Sequence, residues 1–278
     1  MIKLHNVSFS YQSTPEFLSV DQLDLHIKKG EIVVLCGRSG CGKTTVTRLI
    51  NGLIPHFFEG EFKGEIWVDG KDVAQTELSD FAKTCGSMFQ NPKSQFFNID
   101  TTSELAFGCE NLAISPEEIH SRMESTVQKL ELNHLKDRNI FQLSGGEKQQ
   151  IAMGSIHAAT PDLYVLDEPS SNMDAAAIER LRNLILTLKE EGKTVVISEH
   201  RLSYLVGIAH RFLYFSEGKL AEEFTPSQLL ALTDEEREKR GLRQLNLDKI
   251  PYKSHGKNSS MIGLRAEHLK CYKSKKQV

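Results

Sequence analysis

A glycine-rich stretch near the start of the chain has the residue types and spacing that hold phosphate groups. Residues 37–44 read GRSGCGKT and match the pattern GxxxxGK followed by Ser or Thr, between a strand-like apolar run and helical apolar spacing. Glycines let such a loop wrap a polyphosphate with its N–H groups pointing inward, and the helix adds the positive end of its dipole. Lys43 would reach the β- and γ-phosphates, and the Thr44 hydroxyl would bind Mg²⁺.

The context of this loop favours a nucleoside triphosphate site over the alternative, a glycine-rich turn with a surface lysine. The predicted triphosphate-binding residues are Gly37, Arg38, Ser39, Gly40, Cys41, Gly42, Lys43, Thr44 and Thr45.

Two adjacent carboxylates form a second group with chemical potential. Asp167 and Glu168 follow four apolar residues at 163–166, at the carboxyl end of a predicted buried strand, where open parallel sheets bind ligands. Asp167 would hold Mg²⁺ through its water shell, and Glu168 would polarise the water that attacks the γ-phosphorus. The alternative is an acidic pair that caps a strand before the turn at Pro169. Taken with the phosphate loop, the pair predicts triphosphate hydrolysis.

A Ser-Gly-Gly tripeptide is also suited to an anion. Residues 143–147 read LSGGE and lead into a predicted helix that extends to residue 160. Exposed N–H groups, a serine hydroxyl and the positive end of a helix dipole would together bind a phosphate. A helix-capping loop is the alternative. One chain has little use for two γ-phosphate sites.

The phosphate loop, LSGGE and LYVLDE, in this order and spacing, resemble the ATP-binding cassette (ABC) ATPases from Met1 to about Leu220. The resemblance implies that LSGGE completes the site of a second cassette, so that two cassettes close head-to-tail around two ATP molecules with Mg²⁺. The residues of this signature are Ser144, Gly145, Gly146 and Glu147, the last in place of the commoner Gln.

The resemblance assigns roles to further residues. Tyr11 matches the aromatic that stacks on adenine, and His200 matches the switch histidine that contacts the γ-phosphate. Gln90 matches the glutamine that approaches Mg²⁺ and the attacking water. Ser171 and Asp174, in SSNMD, lie at the position of the loop that crosses to the other cassette, although the usual form is closer to SALD. The implied catalytic residues are Glu168, His200 and Gln90, and the implied Mg²⁺ ligands are Thr44, Gln90 and Asp167.

Two segments resemble a narrower group, the energy-coupling factor (ECF) ATPases, which power importers of vitamins and transition-metal ions. Residues 89–97 (FQNPKSQFF) resemble their hinge segment, and residues 197–202 (ISEHRL) resemble the switch segment of tandem-cassette members. The resemblance implies a peripheral location at the cytoplasmic face of the membrane. The implied partners are a second cassette, a transmembrane coupling subunit and a substrate-binding membrane protein. Phe96 and Phe97 are then contacts for the coupling subunit or core residues, with neither favoured.

Two alternatives remain within the same family. One is a non-transport cassette protein that acts on the ribosome, and the other is a cassette that binds ATP with weak hydrolysis. The hinge segment and the absence of a basic surplus disfavour the first. The retained Lys43, Asp167, Glu168 and His200 disfavour the second, although Glu147 departs from the common signature.

Composition disfavours several classes of function. A net charge of −3 gives no compositional support for nucleic-acid binding, so none is predicted. Five cysteines without CxxC spacing favour reduced thiols over disulfides or a structural metal site. The absence of an apolar run of about 18 residues predicts that any membrane role comes through a partner.

The pattern of apolar residues predicts an α/β fold. Antiparallel strands are expected in residues 2–35, helices in residues 91–160, and buried parallel strands at 163–166 and 194–197, with a helix between them over residues 175–190. With the resemblance, this becomes a P-loop NTPase core with a mixed or parallel sheet, an N-terminal antiparallel β subdomain and an inserted α-helical subdomain.

Three parts are predicted along the chain. Residues 1–220 form the nucleotide-binding domain, with the helical subdomain at 91–160, and residues 221–260 form a helical and linker extension. Residues 261–278 are the first strand of a missing second cassette or a basic tail. Capping boxes are predicted where Ser115 and Thr233 precede glutamates.

Overall fold

The computed structural model describes residues 1–91 and 94–245, together with the strand residues 272–273 and 276–277. Met1–Leu245 form one compact unit, and Asn246–Val278 are assigned to a second. Among the described residues, no helix combines the length and the apolar character needed to span a membrane.

The N-terminal sheet has four strands in the order β2-β1-β4-β5. Its strands are β1 (Ile2–Tyr11), β2 (Val20–Ile27), β4 (Gly60–Val68) and β5 (Lys71–Asp72), all paired antiparallel. Asp69 and Gly70, between β4 and β5, both have positive φ, 51° and 79°, as a two-residue hairpin turn requires. The alternating apolar side chains of β1 and β2 are buried, as their period of two residues predicts.

The second sheet has six strands in the order β10-β9-β3-β8-β7-β6. Its strands are β3 (Ile32–Gly37), β6 (Cys85–Met88), β7 (Leu163–Asp167), β8 (Thr194–Ser198), β9 (Arg211–Ser216) and β10 (Lys219–Phe224). The pairs from β9 to β6 are parallel, and β10 pairs antiparallel with β9. All residues of β3, β7 and β8 are buried because layers cover both faces, which explains their continuous apolar sequences.

The helices are α1 (Lys43–Ile50), α2 (Leu53–His56), α3 (Leu78–Phe81), α4 (Thr101–Asn111), α5 (Pro116–Lys129), α6 (Gly145–Ala158), α7 (Ala175–Glu190), α8 (Pro226–Ala231) and α9 (Asp234–Arg240). Helices α4 to α6 lie between β6 and β7 in sequence and enclose a small apolar cluster of their own, which includes Leu105, Val127 and Ile151. The predicted fold class is confirmed, with an antiparallel sheet, a mostly parallel sheet and an inserted helical subdomain.

One of the two predicted capping boxes is complete. Thr233 and the side chain of Glu236 cap α9 reciprocally. At α5 only half of the box forms, because the Ser115 hydroxyl accepts from the Glu118 N–H while the Glu118 carboxylate pairs with Arg122. The prediction of a full box at Ser115 was therefore wrong, since an i,i+4 ion pair competes for the same carboxylate.

The compact unit extends past the predicted end of the cassette at residue 220. Strand β10 crosses that position, and Leu229, Leu242 and Leu245 pack into the main apolar core. In the second unit, β11 (Tyr272–Lys273) pairs antiparallel with β12 (Lys276–Gln277). The rest of the predicted strand or tail at 261–278 lies outside the described residues.

Candidate functional site

The glycine-rich loop joins the end of β3 to the start of α1. Gly37 and Gly42 have φ values of 140° and 105°, and a Cβ at either position would lie 2.3 Å from the Phe215 carbonyl oxygen or 2.4 Å from that of Ser19. Only glycine fits at these two positions. The first turn of α1 has no side-chain cap and no acidic residue. Its N–H groups are therefore oriented for an anionic ligand.

Lys43 lies within the curve of this loop. Its side chain is buried, and its ammonium donates to the carbonyl oxygens of Gly37 and Arg38, both at 3.0 Å. Ser39 and Gly40 are exposed. Cys41 is buried, with its sulfur 3.7 Å from the Lys43 Nζ. The loop therefore places a buried cation beside the uncapped start of α1, which suits a polyphosphate.

Thr44 and Asp167 meet beneath the loop. The Thr44 hydroxyl donates to Asp167 Oδ1 at 3.2 Å. Burial raises the pKa of Asp167, and hydrogen bonds from Ser198 and Thr44 offset this only in part. A cation beside this carboxylate would stabilise its ionised form.

The side chains near this point suit Mg²⁺. Thr44, Asp167 and Gln90 offer a hydroxyl, a carboxylate and an amide oxygen, which are hard ligands of the kind that Mg²⁺ prefers. In the part of the chain that the structure describes, no group of three or more His, Cys, Asp or Glu residues could hold a metal ion by itself. The donor set therefore fits an ion that keeps water and phosphate ligands.

Two polar side chains, each just past the end of a neighbouring strand, converge on the carboxylate of Glu168. The Gln90 amide nitrogen donates to Glu168 Oε2 at 3.0 Å, and His200 Nε2 lies 3.3 Å from Glu168 Oε1. Burial and the charge of Lys43 lower the pKa of His200, although Glu168 and Glu199 oppose this. The imidazole is thus mainly neutral near pH 7. Each oxygen of Glu168 has a partner that fixes its direction.

The backbone of Glu168 is held in a sparsely populated conformation. Its φ of 47° is left-handed, and its N–H donates to the Ser198 carbonyl oxygen at 2.8 Å. For a residue with a Cβ, such a backbone costs on the order of 1–3 kcal/mol. This hydrogen bond to the end of β8 therefore holds the backbone of Glu168 in the left-handed conformation, and with it the position of the carboxylate.

Tyr11 lies beside the second threonine of the loop. Its hydroxyl is 3.2 Å from the Thr45 Oγ1 and accepts from Arg48 at 2.8 Å. The ring packs edge-on against Phe9 and Phe58, with centroids 4.9 and 6.1 Å apart. The predicted adenine-stacking residue is thus next to the phosphate loop and anchored at its hydroxyl.

The LSGGE stretch forms the start of α6. The Ser144 hydroxyl accepts from the Glu147 N–H at 3.3 Å, and the Glu147 carboxylate accepts from the Ser144 N–H at 2.7 Å. Arg138 donates to the other oxygen of Glu147 at 3.0 Å. Burial tends to raise the pKa of Glu147, but the hydrogen bonds from Ser144 and Arg138 outweigh it and lower that pKa. Ser144 and Gly145 are exposed, so the corner faces outward.

The predicted crossing loop packs against this corner. Gln149 of α6 donates to the Ser171 hydroxyl at 3.2 Å, and a Cβ on Gly145 would lie 3.3 Å from the Asn172 side chain. The Asp174 carboxylate caps α7 by accepting from the Ala177 N–H at 2.8 Å. Ser171 therefore touches the signature helix, while Asp174 serves its own helix.

The predicted residues thus form two groups within one chain. The first surrounds the phosphate loop and contains Tyr11, the loop residues, Gln90, Asp167, Glu168 and His200. The second contains Ser144, Gly145, Gly146, Glu147 and Ser171. Among the described residues, no hydrogen bond joins the LSGGE stretch to the phosphate loop.

Several contacts in these groups are not predicted by the sequence. Arg38 donates to the Lys239 carbonyl oxygen at 3.0 Å at the end of α9, and Arg48 lies over the Phe58 ring at 4.0 Å. Glu199 is buried beside His200. Of these, only Glu199 carries a local signal, namely a charged residue directly after an apolar strand.

Known proteins resemble this chain in sequence. The family model described as ABC transporter matches residues 20–171. A protein of Treponema denticola that is assigned as an ABC transporter ATP-binding protein is 49% identical over 247 residues, which are 89% of this chain and 50% of that protein. A protein of Pyrococcus abyssi with the same assignment is 36% identical over 230 residues and 82% of each chain. The chain spans about half the length of several of the curated relatives it matches.

Solved structures share the fold. The cassette MJ0796, in a dimeric post-hydrolysis structure with ADP and Pi, is 26% identical, with a TM-score of 0.73 over 81% of this chain and 99% of that one. The cbiO1 protein of Clostridium perfringens, part of the ABC transporter complex cbiONQ, has a TM-score of 0.72 at 23% identity, over 83% of this chain and 90% of that one.

Proposed function

The chain belongs to the ABC transporter family of ATP-binding cassettes, and from this premise we propose that it binds and hydrolyses ATP to power an ECF-type membrane importer of a vitamin or metal ion. The proposal has two parts, ATP hydrolysis at a shared site and coupling to a membrane partner. Different observations support each part.

The convergence on Glu168 carries the first part. Gln90 and His200 hold its two oxygens, while Lys43 and the loop follow β3, which is separated from the strand of Glu168 by β8 alone. Glu168 would accept a proton from the water that attacks the γ-phosphorus, as the bond to the β-phosphate oxygen breaks and ADP leaves. Lys43 would neutralise charge on the phosphates, and His200 would contact the γ-phosphate. Mg²⁺, when bound near Thr44, Gln90 and Asp167, supplies charge neutralisation at the phosphate oxygens.

A second cassette would complete the site. The LSGGE corner faces outward, where its exposed Ser144 and Gly145 could reach the nucleotide of a neighbour. The MJ0796 relative is itself dimeric with bound ADP and Pi. The partner cassette is a second copy, a different chain or a tandem half, and the mass of the ATP-bound complex distinguishes these.

A groove beside Gln90 supports the membrane partner. The cavity of about 440 Å³ that contains Thr44, Gln90 and Asp167 extends away from them to apolar residues that include Leu53, Phe57 and Phe58. Phe57 is 70% exposed, and its ring packs edge-on against that of Phe58 with the centroids 5.1 Å apart, so the two rings form an exposed aromatic pair at the groove. Of the two hinge phenylalanines, Phe96 packs against the helical cluster while Phe97 is 74% exposed. We infer that this groove receives a helix of a transmembrane coupling subunit.

The decisive experiment for hydrolysis is Glu168→Gln. Turnover should fall by about 10²–10⁴, the range of general-base catalysis, because the amide cannot take the proton. ATP should still bind and should hold two cassettes together, which size-exclusion chromatography with ATP would show. Unchanged phosphate release by the variant would remove Glu168 from the mechanism and, with it, this account of hydrolysis.

A matched pair of surface variants tests the membrane partner. Phe57→Asp should abolish co-purification from detergent-solubilised membranes, while Leu230→Asp, at a residue that is 55% exposed on α8, should not. Both variants should keep the ATPase rate of the isolated chain. Equal recovery of membrane protein with the two variants would contradict the groove, and co-sedimentation with ribosomes would favour the non-transport alternative.

A further inference from the structure

Glu199 is a buried carboxylate between two functional segments. It is 2% exposed and directly precedes His200. Oε1 accepts from the backbone N–H groups of His200 and Arg201, at 2.7 and 3.0 Å. Oε2 accepts from the Ser170 N–H at 3.3 Å and from the Tyr204 hydroxyl at 3.0 Å. One side chain therefore joins the segment of His200 to the start of the loop that holds Ser171.

All four donors to this carboxylate are uncharged. The carboxylate is therefore stabilised by hydrogen bonds alone, whose strength depends on the positions of the donors. A carboxylate removed from water is costly unless hydrogen bonds replace its hydration. Here backbone N–H groups provide most of that replacement, and their positions are fixed by the chain itself. The charge of Glu199 consequently holds the backbone at His200 in the conformation that satisfies it.

The same carboxylate reaches the edge that would meet a second cassette. Ser170 follows Pro169 and precedes Ser171, whose hydroxyl contacts Gln149 of the signature helix. Arg201 reinforces the link by donating to the Met173 carbonyl oxygen at 3.4 Å. A shift of residues 199–201 would thus be transmitted to residues 170–173.

We propose that Glu199 is a positioning residue for ATP hydrolysis, which acts through His200 and joins this histidine to the loop at residues 170–174. This rests on the proposed function and deepens it. His200 needs a fixed backbone because its imidazole is only 3.3 Å from a Glu168 oxygen. A misplacement of about 1 Å at such a site costs on the order of 100-fold in rate.

Glu199→Gln tests the proposal with little change in shape. Its amide keeps one acceptor oxygen, so one pair of the four donors must face an NH₂ group. We expect kcat to fall by about 10- to 100-fold, while KM and ATP affinity change by less than about threefold, since the phosphate loop is untouched.

A double variant that combines Glu199→Gln with His200→Ala distinguishes a positioning role from a general loss of structure. If Glu199 acts through His200, Glu199→Gln should lower kcat in the wild-type background and have little further effect in the His200→Ala background. Two full and additive losses would overturn the proposal, as would a His200→Ala variant with the wild-type kcat.

Glu104→Gln is the matched control. Glu104 is also 2% exposed and accepts from the N–H groups of Phe97 and Asn98, in the helical subdomain. We expect this control to lose stability as Glu199→Gln does, with kcat unchanged. An equal loss of kcat in Glu199→Gln and Glu104→Gln would show that the loss of any buried carboxylate lowers kcat, and the proposal would fail.

Hydrogen exchange provides a readout that needs no turnover. In Glu199→Gln, amides at residues 170–173 and 199–201 should exchange faster together, with little change in α1. Independent exchange of the two segments would overturn the link. If the wild-type chain released no phosphate, the proposed function would fail, whereas this measurement would still decide whether Glu199 joins the two segments.

Discussion

Two helices of this chain begin at glycine-bearing corners that suit a phosphate, yet their first turns differ. Helix α1 follows Gly42, and its first turn has no side-chain cap and no acidic residue. Helix α6 follows Ser144, which forms a complete capping box with Glu147, and Arg138 binds the same carboxylate. The first helix start is left open to a ligand, while the second is satisfied by its own side chains.

This difference indicates that the two corners, at the starts of α1 and α6, have different roles in nucleotide binding. The N–H groups at α1 and the buried Lys43 form a site for an anion within one chain. At α6 the capping box already uses part of the hydrogen-bonding capacity, and ionised Glu147 adds negative charge. We therefore expect the first corner to bind nucleotide in a single chain and the second to contribute only after a partner presents one.

The largest expected effect comes from adding a methyl group at each corner. Gly42→Ala forces a Cβ to within 2.4 Å of the Ser19 carbonyl oxygen at a φ of 105°, and the strain alone costs about 1–3 kcal/mol. Nucleotide binding, measured with a fluorescent ATP analogue, should be largely lost. Gly145→Ala meets only the Asn172 side chain at 3.3 Å and should bind the analogue normally. Equal losses of analogue binding in Gly42→Ala and Gly145→Ala would contradict the proposed difference between the two corners.

An intermediate effect is expected from Ser144→Ala. Loss of the cap should destabilise the fold by about 0.5–2 kcal/mol, because the first N–H groups of α6 lose their acceptor. Denaturant unfolding measures this loss. Nucleotide binding by the single chain should persist, while ATP-driven dimerisation weakens. Full dimerisation by the variant would exclude the Ser144 hydroxyl from the shared site.

The smallest effect is expected from Glu147→Gln, since glutamine also completes a capping box. Removing the negative charge should strengthen ATP-driven dimerisation, most clearly at low salt. The pKa of Glu147 is lowered in the folded chain, so its contribution to stability is present above its unfolded pKa and is lost as pH falls through the folded value. The wild-type chain should therefore lose more stability than the variant under acidic conditions, which urea unfolding across pH would show.

Local patterns made much of the fold predictable. The limits of α7 agree with the predicted helix at 175–190, and the buried strands appear where continuous apolar runs occur. The phosphate loop and the carboxylate pair were predictable because backbone geometry and strand ends constrain a few neighbouring residues. The half-formed capping box at Ser115 was not predictable, because the sequence alone does not show whether the Glu118 carboxylate will accept from the backbone or pair with Arg122.

Contacts between distant segments could not be derived in this way. The carboxylate of Glu199 joins residues 170 and 204, and Arg38 reaches the end of α9 at Lys239. No periodicity marks such pairs, because each residue satisfies its local pattern equally well without its partner. For the same reason the sequence did not show that the compact unit extends to Leu245. Leu229, Leu242 and Leu245 are buried by contacts with residues that are distant in sequence.

The left-handed backbone of Glu168 has a consequence for the evolution of this chain. Glycine adopts a φ of 47° without the strain that a side chain brings, so the backbone conformation at this position favours a residue without a carboxylate. A laboratory screen for thermal survival alone would therefore select against turnover here.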